Sequence, residues 1–135
     1  MPINFSGQRI LILGAGVTGL VVARSLSKRG ALISIADDQI IAVDGFDVAP
    51  SQSFDVKNFD AIMVSPGWKP DNPLITDAIM AGIKIMNEID LAWSLRAYLA
   101  PNQRWIALTG TNGKTTTVEL TAAMLREGGI SAVAC

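Results

Sequence analysis

Apolar residues recur along this chain in two rhythms. Residues 9–13 and 31–36 are short, nearly unbroken apolar runs, the pattern of strands covered on both faces in a parallel sheet. Between them the apolar positions repeat at helical spacing. That stretch predicts a helix from Val17 to about Arg29, with Val17, Leu20, Val21, Ala23 and Leu26 inward and Arg24, Lys28 and Arg29 outward. Gly30 stops it. Strand, helix and strand make a βαβ unit of ordinary length. The pattern then weakens, and Val43 to Val48 reads as one short strand among Gly45, Pro50 and several aspartates.

Residues 60–65 predict the next strand, and Pro66-Gly67-Trp68-Lys69-Pro70 a loop at its end. Asn72 and Pro73 start a helix, with Ile75, Ala78 and Ile79 on one face and Gly82 closing it. Residues 83–86 predict a short strand. Asn87 caps a further helix that carries Leu91, Leu95 and Tyr98 and must end before Pro101. Glu88 and Asp90 suit its N-terminal dipole, and Trp93 reads as core or interface. Ala100 to Gln103 is the domain boundary. Beyond it, residues 104–108 predict a strand, 115–127 a helix, and Ile130 to Cys135 the start of another strand.

Composition narrows the class. Half of the 135 residues are apolar and 17% are charged, which is globular and not disordered. The net charge of −1 and the lack of a basic tract argue against a nucleic-acid binder. No histidine is present, so histidine triads and histidine metal sites are excluded from this polypeptide. The single cysteine, Cys135, excludes an internal disulfide and reads as an interior strand residue. No apolar run reaches signal-peptide or membrane-spanning length, so a soluble, cytoplasmic protein is expected.

Two glycine motifs carry the chemistry. Gly14-x-Gly16-x-x-Gly19 follows the first strand and opens the first helix. Gly14 would make the tight turn, Gly16 would let a pyrophosphate approach, and Gly19 would let helix and strand pack closely. The N–H groups of Val17, Thr18 and Gly19 would then face the ligand. Asp37 ends the second strand, where an acid can bond a ribose hydroxyl, and where an aspartate is as often a turn or cap residue. Alone, this motif says a dinucleotide or a related diphosphate. Ser65-Pro66-Gly67 lies at the carboxyl end of a predicted strand, the edge where parallel sheets bind ligands, and reads equally as a plain turn. Trp68 and Lys69 read as contacts or as simple surface.

The second motif is Thr109-Gly-Thr-Asn-Gly-Lys-Thr-Thr116. A full phosphate loop, G-x-x-x-x-G-K-[ST], needs glycine at position 108, where Leu108 stands. The shorter form retains the glycine turn, the helix N-terminus and a mobile lysine. A diphosphate site and an ATP-type loop together suggest an enzyme that joins a nucleotide-linked substrate to something else at the expense of ATP. An NAD-dependent oxidoreductase fits the first motif and not the second. A non-catalytic nucleotide-binding module is the third reading.

Over its whole length the chain resembles the Mur ligases of bacterial peptidoglycan synthesis. The resemblance rests on Gly14-Ala-Gly-Val-Thr-Gly19 with Leu20 and Ala23-Arg24, and on Val64-Ser-Pro-Gly67 with Asn72-Pro73-Leu74. Gly82-Ile83, Glu88-Ile-Asp-Leu91 and Thr109 to Thr116 add to it. The last motif is shared with folylpolyglutamate synthase and marks only the superfamily. The first two groups favour the D-glutamate-adding branch; the muramoyl-alanine-forming branch usually reads Gly-Ile-Gly-Gly and Ser-Ser-Ala-Ile there.

The resemblance implies an α/β chain: a Rossmann-like open parallel sheet over residues 1–98, then, in residues 99–135, the first strand–phosphate loop–helix–strand of an incomplete ATPase domain. It implies an ADP-forming amide ligase with UDP-N-acetylmuramoyl-L-alanine, D-glutamate and ATP as substrates and magnesium as cofactor. Gly14, Gly16, Val17, Thr18, Gly19, Asp37, Asp38, Ser65, Pro66 and Gly67 would contact the UDP substrate. Gly110, Thr111, Asn112, Gly113, Lys114, Thr115 and Thr116 would hold ATP, with Lys114 catalytic and Thr115 on magnesium. Where family members often carry Thr-Arg, this chain has Asp38-Gln39. The magnesium-binding acids and the glutamate-binding domain are expected beyond Cys135, so the polypeptide is expected to be an N-terminal fragment without catalytic competence. Another Mur ligase with a different amino acid substrate is the nearest alternative.

Overall fold

The structure is a computed structural model that describes residues 4–39, 42–43 and 45–135. The chain divides into two compact units, Met1–Pro101 and Asn102–Cys135.

The first unit is an open sheet with helices on both faces. Its elements run β1 (Arg9–Leu13), α1 (Val17–Ser27), β2 (Leu32–Ala36), β3 (Val48–Ala49), β4 (Ala61–Val64), α2 (Pro73–Met80), β5 (Lys84–Met86) and α3 (Glu88–Leu99). Two single 3-10 turns lie between β3 and β4. The strands pair in parallel, in the order β3-β2-β1-β4-β5.

The central strand explains the layering. Ile10, Leu11, Ile12 and Leu13 are each at most 1% exposed. Side chains alternate along a strand, so Ile10 and Ile12 join one core cluster with Val22, Ala23, Leu26, Leu91 and Leu95 from α1 and α3. Leu11 and Leu13 join the other, with Leu74, Ile75 and Ala78 from α2. Each such side chain stabilises the fold by about 1.5–3 kcal/mol, so β1 anchors both layers.

The same topology positions the site. The chain leaves β1 for β2 on one side and later returns to β4 on the other. Loops after β1 and β4 therefore part at the carboxyl edge and leave a crevice there. The register pairs Leu13 with both Ala36 and Val64. Gly14, Asp37 and Ser65 thus leave the sheet side by side.

Several expectations need correction. Val17 and Val21 are 83% and 60% exposed. The buried stripe of α1 is Gly19, Val22, Ala23 and Leu26, set by where the helix first meets the sheet rather than by its first apolar residue. Ile79 (63% exposed) and Tyr98 (45%) likewise lie off their helices' buried stripes, and Trp93 (54%) is exposed rather than core. The strand expected over 43–48 is shorter and later: Val48 and Ala49 pair with Ile35 and Ala36. Val43 instead bridges Phe46 in antiparallel fashion around Gly45, and residue 44 of that expectation lies outside the described residues.

In the second unit the one regular element is α4 (Lys114–Glu127). Residues 104–108 and Ile130 to Cys135 form no strands, and Cys135 is exposed. A strand needs a neighbour for its N–H and C=O groups, and residues 102–135 contain no paired strand to supply one. Ala122 is the only buried residue in this unit.

Candidate functional site

The glycine turn after β1 is built on two close approaches. Gly14 has φ +106°, a conformation that L side chains rarely adopt, and its N–H donates to the Ala36 carbonyl (2.8 Å). A Cβ there would lie 3.0 Å from both Ser65 Oγ and Trp68 Nε1. A Cβ on Gly19 would run into the Gly14 carbonyl oxygen, so α1 can start directly against the turn only with glycine at 19. Gly16 differs. It is the N-cap of α1, with ordinary extended dihedrals (φ −71°, ψ −176°) and no side chain to cap the helix. A Cβ on Gly16 would meet nothing within 4 Å. The start of α1, Gly16 to Gly19, lines open space, where the unpaired N–H groups and the dipole of a helix N-terminus favour an anion.

Two aspartates hold this turn and its neighbour in place. The Asp37 carboxylate accepts the Ala15 N–H on Oδ2 and the Gln39 N–H on Oδ1, both at 2.8 Å. Asp38 accepts the Ser51 N–H (2.8 Å) and the Ser51 hydroxyl (2.8 and 2.9 Å to its two oxygens). The family resemblance implies that both are ligand contacts, and Asp37 reads equally as a turn residue; both line the ligand-side edge of the sheet while bracing the loops at the ends of β2 and β3.

The opposite wall is the loop after β4. The Ser65 N–H donates to Leu13 O (3.1 Å), continuing the strand pairing by one residue. The Trp68 N–H returns to Ser65 O (3.1 Å) and closes the Ser65-Pro66-Gly67-Trp68 turn. Asn72 then caps α2, its Oδ1 accepting the Leu74 N–H (2.9 Å).

Between the walls lies an open cleft of about 780 Å³. Gly14, Gly16, Val17, Thr18, Gly19, Asp37, Asp38, Ser65, Pro66 and Gly67 all line it. So do Trp68 and Lys69, which read from sequence as contacts or as surface, and Gln39, Asp71, Asn72 and Pro73, which it does not name as ligand contacts. The available signal was position: all six follow a strand at the carboxyl edge. Below the turn, Glu88 shares a small cavity of about 10 Å³ with Thr18, Gly19 and Ser65. Its Oε2 is buried without a hydrogen-bond partner among the described residues.

The second motif belongs to the other unit. Gly113, with φ +75°, is the N-cap of α4, and Lys114 is its first residue. The Lys114 ammonium donates to the Gly110 carbonyl (2.6 Å), so the lysine closes its own loop. Thr111, Asn112, Thr115 and Thr116 are exposed around the helix start. Thr115 brings one hydroxyl, and among the described residues no group of three His, Cys, Asp or Glu side chains converges. One hydroxyl does not make a magnesium site, so these residues by themselves do not fit the ion.

No helix among the described residues is long and apolar enough to cross a membrane. Residues 8–87 match the family described as Mur ligase MurD-like, N-terminal domain. The chain is 36% identical to the UDP-N-acetylmuramoylalanine--D-glutamate ligase of Corynebacterium efficiens, over 99% of this chain and 30% of that protein. It is 38% identical to the ligase of that name from Leifsonia xyli subsp. xyli, over 98% of this chain and 29% of that one. The chain therefore spans less than a third of the length of these curated relatives. Among solved structures, the UDP-N-acetylmuramate:L-alanyl-gamma-D-glutamyl-meso-diaminopimelate ligase from Neisseria meningitides superposes with TM-score 0.55 at 21% identity, over 95% of this chain and 44% of that one. Shikimate dehydrogenase from Aquifex aeolicus superposes with TM-score 0.52 at 18% identity, over 77% of this chain and 52% of that one. Both likenesses speak to the fold. With the match over residues 8–87 covering more than half of it, the chain belongs to the Mur ligase MurD-like N-terminal domain family.

Proposed function

We propose that the cleft of the first unit holds the UDP end of UDP-N-acetylmuramoyl-L-alanine. The full-length protein would then be an ATP-dependent, ADP-forming ligase that adds D-glutamate to that substrate in the cytoplasm, for peptidoglycan synthesis. The observation that carries the reading is the open space at Gly16, at an uncapped helix N-terminus beside the Ser65–Trp68 turn. A diphosphate fits there because α1 offers N–H donors and a partial positive charge.

In the ligation, a carboxylate oxygen of the substrate takes the γ-phosphoryl group and ADP leaves. The amine of D-glutamate then attacks the acyl carbon, inorganic phosphate leaves and an amide forms. The phosphoryl group turns a poor leaving group into a good one. This chain's contribution is binding and orientation of the nucleotide end. Residues 110–116 would offer backbone N–H groups and Lys114 to ATP once the ammonium leaves the Gly110 carbonyl. Magnesium would require acidic ligands besides Thr115.

Titration calorimetry of the 135-residue chain tests the reading. UDP is expected to bind weakly but measurably, and ATP hardly at all. Tight NADH binding with no UDP binding would overturn it in favour of a dinucleotide site.

A further inference from the structure

Charge in the cleft is uneven. Asp37, Asp38 and Asp71 line it, and Lys69 is the one cationic side chain among the described residues that do. A diphosphate entering there meets the N-terminus of α1, worth roughly half an elementary charge. Three carboxylates oppose it. Backbone N–H groups of Ala15, Gln39 and Ser51 hold Asp37 and Asp38 in place at the cleft wall. In such surroundings a further positive charge would strengthen the hold of the helix dipole on a polyanion.

Lys69 is placed to supply it. Its backbone is fixed on both sides. Trp68, just before it, closes the turn onto Ser65, and the Lys69 carbonyl accepts the Asn72 N–H (3.0 Å). Trp68 also packs against the core cluster beneath α2. The loop therefore holds its shape while the exposed lysine side chain extends from it, bounding the same cleft as Gly16 and Thr18.

We propose that Lys69 is a side-chain contact for the ligand's diphosphate and sets the preference for a nucleoside diphosphate over the bare nucleoside. The proposal rests on the reading of this cleft as the UDP site. Calorimetry with uridine, UMP and UDP tests it on the 135-residue chain. Affinity should rise with phosphate number in the unaltered protein. Lys69→Met should weaken UDP about tenfold, leave uridine unchanged and flatten the salt dependence of UDP binding. Lys69→Arg should retain most of the affinity. Lys84→Met, at the exposed start of β5, should change nothing. UDP bound equally well by the unaltered chain and by Lys69→Met overturns the role of the lysine alone. An unaltered chain that binds no UDP overturns the cleft assignment, and this proposal with it.

Discussion

Gly16 and Gly19 lie one helical turn apart and meet opposite surroundings. A methyl group on Gly19 would be driven into the Gly14 carbonyl, part of the turn's own backbone. A methyl group on Gly16 would enter empty space, with dihedrals that alanine accepts. Gly19→Ala should therefore destabilise the fold by about 1–3 kcal/mol as helix and turn are pushed apart. Gly16→Ala should cost no more than about 1 kcal/mol, the difference between glycine and alanine at an N-cap. Ligand binding should show a different pattern, with both variants weakening UDP: Gly19→Ala because it displaces the turn, and Gly16→Ala because its methyl occupies the space proposed for phosphate. Urea unfolding beside UDP calorimetry separates the two effects. A Gly16→Ala chain that binds UDP as before would remove the anion from that position. Asp37 shows the limit of reading single residues. Its place at the end of β2 and its turn bond to the Gln39 N–H two residues on are legible in the sequence, yet its carboxylate also accepts the N–H of Ala15, a partner that only the folded edge brings to it.

Among elements, helix caps were legible and isolated strands were not. Asn72 bonds the Leu74 N–H, and Asn87 and Asp90 exchange backbone bonds at 2.8 and 3.1 Å in a full capping box. Caps are local chemistry, so three or four residues suffice to announce them. Strands are completed by partners far away in sequence. The runs at 9–13 and 61–64 find theirs in each other, while the equally apolar runs after residue 103 find none among the described residues. Helix orientation falls between the two. Helical spacing identifies α1, but the sheet chooses which stripe is buried, and it leaves Val17 and Val21 outside. The capping box gives a direct check. Asn87→Ala should destabilise the first unit by about 1 kcal/mol in urea unfolding. A similar loss from Ser94→Ala, whose hydroxyl only returns to the Asp90 carbonyl within the same helix, would show that the cap is not the source.

For the whole chain, stability and the cleft proposed for UDP belong to the same unit. Every member of both core clusters lies between Phe5 and Leu95, and every residue lining the cleft lies between Gly14 and Pro73. The second unit has one fourteen-residue helix and one buried residue, Ala122. Segments under about 40 residues seldom hold a fold by themselves, and a lone helix of this length is marginal in water. The two phosphate motifs should therefore respond differently when separated. A chain ending at Pro101 should unfold cooperatively, with a midpoint within about 4 °C of the 135-residue chain, a change under about 1 kcal/mol. Its affinity for UDP should be unchanged within about twofold, since each contact proposed for the diphosphate is retained. A peptide of residues 102–135 should show little helix by circular dichroism, because its one fourteen-residue helix buries only Ala122 and has no core to hold it. Loss of UDP binding on removal of residues 102–135 would place part of the nucleotide site in the second unit. Retention would confine that site to the crevice between the loops that follow β1 and β4.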